Sequence, residues 1–281
     1  MFLSPEQLSA WLPAVIEIAD TAAREIMRIY QAGFSVTLKD DRSPLTEADL
    51  AAQRIIGTAL HALTPQLPML GEESASEVFA QRRGWDTLWL VDPLDGTREF
   101  VKRNGEFSVN IALVQHHEPV LGVVCGPARS VLYAAARGCG AIRRDPDGSQ
   151  SPIHVCLTAP ATLRVLGSRS HGDAVLDRLL QRLGPQARIS VGSALKFGLL
   201  AEGSADLYVR RGPTSEWDTA AGHAVVLEAG GGVVDPAGRP LRYNAGDGLI
   251  NPSFVAYADR SRDWAAQLAG LGGSQNDVPA R

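Results

Sequence analysis

The run Trp89-Leu90-Val91-Asp92-Pro93-Leu94-Asp95-Gly96-Thr97 constrains this chain more than any other segment. Its apolar start reads as a buried strand, and the strand delivers two carboxylates followed at once by a Gly-Thr pair. Proline biases the residue before it toward extended backbone, so Asp92 is expected to end the strand and the chain to turn after it. Such a turn folds Asp95 back toward Asp92 and exposes the Leu94 carbonyl beside them. Carboxylates held out of bulk water repel each other unless one is protonated or a cation sits between them. A hard divalent ion takes oxygen ligands, and magnesium combines a few protein oxygens with water and phosphate. Gly96 lets the backbone approach an anion, and the amides of a short helix opening at Arg98-Glu99-Phe100 would point at it. Taken alone, the segment also reads as a solvated Asp-rich turn.

Three other acidic segments bear on that choice. Gly71-Glu72-Glu73-Ser74 closes the apolar stretch Leu67–Leu70, a second strand end supplying acids, although paired glutamates on a loop are ordinarily just solvated. Ser43-Pro44-Leu45-Thr46-Glu47-Ala48-Asp49 reads either as a variant capping box or as a source of an acid that holds or deprotonates a metal-bound water. Glu216-Trp217-Asp218-Thr219-Ala220-Ala221-Gly222 puts Asp218 at the start of a small-residue helix, as its N-cap or as an acid aimed at a cleft. Glu216 itself reads as local variation. Thr97 either caps the short helix or polarises a water. His116-His117 reads as a surface hairpin turn, and His223 as a packed or capping residue. The chain has no Walker-type glycine loop, GxGxxG or GxSxG.

Hydrophobic periodicity gives the framework. Leu8, Leu12, Val15, Ala19, Ala22, Ile26 and Ile29 recur at three- and four-residue steps, which predicts a helix over 5–32 with Ser4, Pro5 and Gln7 at its start and Gly33 at its end. Pro13 is expected to kink its first turns or delay its start. Thr46 caps a second helix over 47–63. The runs 87–91, 107–114, 120–124 and 131–135 then read as an antiparallel-leaning sheet packed on these helices. Beyond a polar stretch at 144–152 the elements alternate, with strands near 163–166, 188–191, 205–209, 232–235 and 253–257. Helices are expected over 172–183, 194–201, 219–229 and 261–270, an α/β pattern. The expected division is 1–150, 151–270 and a disordered tail over 271–281.

With 281 residues the chain is long enough for a well-buried core, and its formal net charge of −4 argues against a nucleic-acid-coating surface. Cys125, Cys139 and Cys156 show no CxxC spacing and read as reduced, mostly buried thiols. The N-terminal apolar residues are interrupted by Glu6, Glu17, Asp20, Arg24 and Glu25, so neither a signal peptide nor a membrane span is expected, and the expected location is cytoplasmic.

In order and spacing, Thr46/Asp49, Gly71-Glu72-Glu73, Asp92-Pro93-Leu94-Asp95-Gly96-Thr97 and Trp217-Asp218-Thr219-Ala220-Ala221-Gly222 resemble the inositol monophosphatase superfamily of magnesium-dependent, lithium-sensitive phosphatases. The stretch from Gly96 to Phe107, Gly192-Ser193-Ala194-Leu195-Lys196-Phe197 and Gly212-Pro213-Thr214 look like its bisphosphate-nucleotidase branch, as does Ser168-Arg169-Ser170-His171. The resemblance implies an α+β / α/β fold, a layered αβαβα sandwich. It also implies hydrolysis of adenosine 3′,5′-bisphosphate to AMP and phosphate by metal-activated water. Inositol monophosphate or another sugar phosphate is the alternative substrate. Two or three magnesium ions would sit on Glu72, Asp92, the Leu94 carbonyl, Asp95 and Asp218, mostly within the first part of the chain. Asp49, Thr97 and Glu72 would be catalytic, with Asp49 and Thr97 positioning the attacking water. Glu72, Leu94, Asp95, Gly96, Thr97 and Asp218 would also face the substrate, the Gly96 and Thr97 amides receiving the phosphate. His171, Ser193 and Lys196 would meet the nucleotide, with Lys196 as the cationic partner of the phosphate that remains.

Overall fold

The structure is a computed structural model and describes residues 2–39, 44–167 and 174–270. The expectations for His171 and for the tail 271–281 lie outside the described residues.

The first helix, α1 (Pro5–Ala32), starts and stops where its capping residues require. The Gln7 N–H donates to Ser4 Oγ at 3.3 Å and the Ser4 N–H to Gln7 Oε1 at 3.0 Å. Gly33, at φ 94°, ends the helix. The helix runs through Pro13, which lies on the exposed side, so the start is not delayed. The predicted stripe is buried except for Leu12, which is half-buried.

A hairpin of β1 (Val36–Leu38) and β2 (Pro44–Thr46) leads into α2 (Glu47–Leu63). Next come β3 (Met69–Gly71), α3 (Ser76–Gln81), β4 (Thr87–Asp95) and α4 (Thr97–Val101). The meander β5 (Ser108–Gln115), β6 (Glu118–Gly126), β7 (Val131–Ala136), β8 (Gly140–Arg144) and β9 (Gln150–Ile153) completes a seven-stranded sheet in chain order from β3 to β9. Only β3, which reaches β4 through α3, runs parallel to its neighbour in this sheet; β4 and β5 pair antiparallel across the segment that holds α4, and short turns keep β5 to β9 antiparallel.

Two expectations change here. The polar stretch 144–152 is the β8–β9 hairpin, closed by the Asp145 N–H donating to Ser149 O at 2.9 Å. Most residues of these two strands at the end of the sheet are half-buried or exposed, so no apolar alternation announces them. Strand β4 also does not end at Asp92. Asp92 pairs with Asn110 and Asp95 with Ser108, leaving Pro93 and Leu94 opposite one residue of β5. Proline has no N–H to give the ladder, and a bulge absorbs it without ending the strand.

The rest of the chain forms β10 (Leu163–Gly167), α5 (Ala174–Gln181), β11 (Gln186–Ser190), α6 (Leu195–Ala201) and β12 (Leu207–Arg210). After these come α7 (Ala220–Glu228), β13 (Gly232–Val234), β14 (Phe254–Tyr257) and α8 (Trp264–Gln267). Their five strands order as β11-β10-β12-β14-β13, with β14 antiparallel to both neighbours. Helices α1 and α2 cover one face of the large sheet, α6 and α7 lie between the sheets, and α5 and α8 cover the outer face of the small one. The layers are therefore αβαβα, as the resemblance implied.

The middle layer is packed through glycine. A Cβ on Gly122 of β6 would stand 2.3 Å from the Ala221 carbonyl oxygen of α7, and one on Gly222 would stand 2.4 Å from the Phe197 ring of α6. Helix α7 is thus drawn onto the sheet at the end that carries Asp218. Among the cysteines only Cys125 is buried; Cys139 is exposed and Cys156 half-buried, and all three are free. The "mostly buried" expectation is corrected, since two of the three lie in connecting segments. No helix among the described residues is long and apolar enough to cross a membrane. Replacing Gly122 by Ala is expected to cost about 2 kcal/mol or more, because its contact is backbone that has nowhere to move; urea denaturation of the variant measures it.

Candidate active site

Three carboxylates from opposite ends of the sequence converge. Ligand-capable oxygens of Asp92, Asp95 and Asp218 all lie within 4.8 Å of one another. The bulge of β4 accomplishes half of this by aiming both of its acids to one side. Leu94 N–H donates to Asp92 Oδ1 at 3.0 Å, and Ala194 N–H donates to Asp95 Oδ2 at 2.6 Å, with Asn110 Nδ2 at 3.4 Å from the same oxygen. Asp218 lies in a 3₁₀ turn (Glu216–Asp218) before α7 and folds back to accept the Ser215 N–H at 2.9 Å. It does not cap α7, a correction to one of its two readings, because Thr219 occupies the cap position.

Burial raises the proton affinity of all three acids, and their mutual repulsion adds to it. Asp92 is pushed well above the usual carboxylate range by burial and then by Glu72, Asp95 and Asp218. Burial lifts Asp95 to about 6 against the opposing field of Lys196, and Asp218 is raised by burial and by Asp95. A hard cation relieves such a cluster while using every oxygen in it, so the donor set fits one.

Glu72 stands beside the trio. Its N–H donates to the Val91 carbonyl at 3.1 Å, next to Asp92, and its charge contributes to the raised affinity of Asp49, Asp92 and Asp218. Its carboxylate pairs with Lys39 Nζ at 2.6 Å, and Lys39 also pairs with Glu73. Although burial opposes it, these two acids raise the Lys39 proton affinity overall.

Asp49 and Thr97 meet as expected. Asp49, buried, accepts Thr46 N–H at 2.8 Å and Thr46 Oγ1 at 2.6 Å on Oδ2, so the capping-box reading holds. Its other oxygen lies 3.3 Å from Thr97 Oγ1, which is also 3.2 Å from the Leu94 carbonyl. The single Thr97 proton therefore goes to one of the two at a time. Thr97 makes no capping bond in α4, whose N-cap is Gly96 at φ 90°. Asp49 thus caps α2 and meets Thr97 with one carboxylate group.

A cleft with about 140 Å³ of space for water-sized molecules opens from Asp95, Gly96 and Asp218 toward Ser193, Lys196, Arg98 and Arg210. Lys196 is buried, and its ammonium donates to Val191 O at 3.3 Å and Ser193 O at 2.6 Å. Burial lowers it to about 8, against the pull of Asp95. Sequence reasoning missed Arg210. Its Nε is buried without a hydrogen-bond partner among the described residues, while its Nη2 donates to Pro213 O at 3.2 Å. Arg210 ends a strand in an unremarkable basic pair, so no local signal marked it.

Glu216 was also misread. It is buried, accepts the Asn244 N–H at 2.6 Å and is raised to about 7 by burial. Asn244 in turn accepts Arg82 Nη1 at 2.8 Å, and Arg82 Nη2 donates to the carbonyls of Gly246 and Asp247 at 3.0 and 2.6 Å. Asn251 Nδ2 donates to the Ser215 carbonyl at 2.8 Å, so the loop 244–251 clamps the Asp218 turn from behind. Buried His223 donates or accepts through Nδ1 at 2.9 Å from the Tyr243 hydroxyl, and burial lowers it to about 3; it is a packed residue. His116 and His117 turn the β5–β6 hairpin with φ 50° and 70°, as expected, and are half-buried there: His116 packs on the Phe2 ring and His117 Nδ1 lies 3.0 Å from the Tyr243 carbonyl.

The chain matches the model of the inositol monophosphatase family over residues 7–270. It is 46% identical over 245 residues to the 3′(2′),5′-bisphosphate nucleotidase CysQ of Escherichia coli K12, covering 86% of this chain and 98% of that protein. The crystal structure of CysQ from Bacteroides thetaiotaomicron superposes with a TM-score of 0.76 at 41% identity, over 88% of this chain and 96% of that one. An inositol monophosphatase from Thermotoga maritima superposes with a TM-score of 0.74 at 26% identity, over 91% and 94% of the two chains.

Arg82→Ala should cost about 2 kcal/mol of stability, since it leaves the buried Asn244 side-chain oxygen without its donor and unties the loop carbonyls of Gly246 and Asp247. Chemical denaturation reads the loss, and phosphatase activity should fall with it as the Asp218 turn loosens.

Proposed function

The chain belongs to the inositol monophosphatase family, and from that membership and the site's geometry we propose that it is a magnesium-dependent 3′(2′),5′-bisphosphate nucleotidase. It removes the 3′-phosphate of adenosine 3′,5′-bisphosphate to leave AMP and phosphate. The observation that carries this reading is one cleft lined both by Asp95 and Asp218 of the carboxylate trio and by Lys196, Arg98 and Arg210, with Glu99 among them. Acids for a metal-bound phosphate and cations for a second phosphate meet in it. A cationic wall favours a second phosphate over the uncharged hydroxyls of a sugar phosphate.

Asp92, Asp95 and Asp218, with Glu72 and the Leu94 carbonyl beside them, would hold the magnesium ions, two or three in number. Bound there, magnesium would neutralise phosphate charge and make a water acidic at neutral pH. The chain's own part is positioning and proton handling. With its proton on the Asp49 side, Thr97 Oγ1 has lone pairs free to accept a hydrogen bond from a water at the cleft floor. As that water attacks phosphorus and the P–O3′ bond breaks, Thr97 Oγ1 takes its proton and passes its own to Asp49 Oδ1, while the leaving 3′-oxygen takes a proton from solvent water. Burial raises the proton affinity of Asp49, which suits it to that end of the relay. The Gly96 and Thr97 amides, opening α4 from a left-handed glycine, would receive the phosphate oxygens. Ser193 and Lys196 would face the remaining phosphate. The free thiols support a cytoplasmic place of action, and lithium is expected to inhibit at an ion site.

Magnesium-dependent phosphate release, measured as kcat/KM on adenosine 3′,5′-bisphosphate and on inositol 1-phosphate, tests the assignment; a clear win for the inositol ester defeats it. Asp95→Asn keeps the shape of the site and should lower turnover about a thousandfold, with the melting temperature little changed. A pH profile gives a further check. Lys196 loses its charge as pH rises through about 8, so kcat/KM for the bisphosphate should fall above that pH while that for adenosine 3′-monophosphate holds. Stability moves the other way. The native Lys196 binds its proton more weakly than the unfolded chain does, so between about 8 and 10.5 the unfolded state holds more protons and folding gains with pH.

A further inference from the structure

The wall of the cleft that presents Ser193 and Lys196 is shaped by an acid from elsewhere in the chain. Glu106 lies in the turn between α4 and β5, with its side chain 6% exposed. Its Oε2 accepts the Gly192 N–H at 2.9 Å, and its Oε1 accepts Arg129 Nη2 at 3.0 Å. The two backbones touch as well, since a Cβ on Gly192 would stand 2.6 Å from the Glu106 carbonyl oxygen. On the far side, Gly96 is pressed between the same carbonyl and Ser193.

The segment after Gly192 is strained and functional at once. Ser193 sits at φ 50°, the Ala194 amide is spent on Asp95, and the Lys196 ammonium hangs from the Val191 and Ser193 carbonyls. Those two carbonyls flank the Gly192 amide that Glu106 holds. A buried negative charge beside a pocket for anions would weaken binding by repulsion, unless a cation cancels it. Arg129 is that cation, so the pair fixes the wall without adding net charge.

We propose that Glu106, balanced by Arg129, is a positioning residue that sets where Lys196 stands and thereby gives the site its preference for a substrate with a second phosphate. This rests on the bisphosphate reading of the cleft. Glu106 touches no reacting atom; it acts through the Gly192–Lys196 segment.

The experiment compares wild type with Glu106→Gln and Arg129→Gln. Glutamine at 106 has one oxygen for two donors: turned to Gly192 it sets an N–H against Arg129, and turned to Arg129 it sets an N–H against the Gly192 amide. The ratio of kcat/KM for adenosine 3′,5′-bisphosphate to that for adenosine 3′-monophosphate should fall about tenfold in Glu106→Gln, carried by KM for the bisphosphate, and in the same direction but less in Arg129→Gln. Titration calorimetry with AMP, which keeps the second phosphate, should show the same weakening without turnover. A ratio and an AMP affinity equal to wild type in folded variants overturn the proposal. Equal losses on both nucleotides also overturn it, since they mark a general structural role. If Glu106→Gln melts before assay temperature, the milder Arg129→Gln decides the matter by the same two measurements. A wild type that treats both nucleotides alike defeats the functional reading instead, and the AMP titration still decides whether Glu106 places the wall.

Discussion

Repulsion among Asp92, Asp95 and Asp218 is the constraint around which this molecule is arranged. Three acids brought within 4.8 Å of one another, with burial raising each, are an arrangement that an unassisted backbone would abandon. Each is therefore tied down separately. Asp92 is held by the bulge it sits in, Asp95 by an amide from the other sheet's layer, and Asp218 by its own 3₁₀ turn. Behind that turn stands the Arg82–Asn244–Glu216 clamp. The stability needed to keep the acids together comes from the layers, not from the site.

The layers explain why the acids lie so far apart in sequence. Asp92 and Asp95 belong to a strand of the large sheet, whereas Asp218 precedes a helix trapped between the two sheets. That helix is buried on nearly every side, so its register is set by contact, and the glycines at 122 and 222 let it approach closely. Replacing either would move the turn that carries Asp218 without touching that acid.

Local chemistry was legible in the sequence, and distant pairing was not. Ser4 and Gln7, and Thr46 and Asp49, announce two helix starts because capping is read within four residues. The Asp92-Pro93-Leu94-Asp95 segment was readable as a strand end carrying two acids, but its bulge was not, since only the partner strand reveals that two residues face one. Glu216 looked incidental because its meaning depends on Asn244 and Arg82, neither of them near it in the chain. Arg210 was invisible for the same reason. The polar strands β8 and β9 lacked alternation, so periodicity could not find them.

The Ala194 amide that rests on Asp95 has one more consequence. A carboxylate has two oxygens, and here Oδ2 is already committed to that amide and to Asn110. The group cannot spin about its bond without abandoning both, so Oδ1 is the oxygen left to greet an arriving cation. A cation bound there would meet Asp95 through one oxygen, and much of the ordering entropy of that side chain would already be spent during folding.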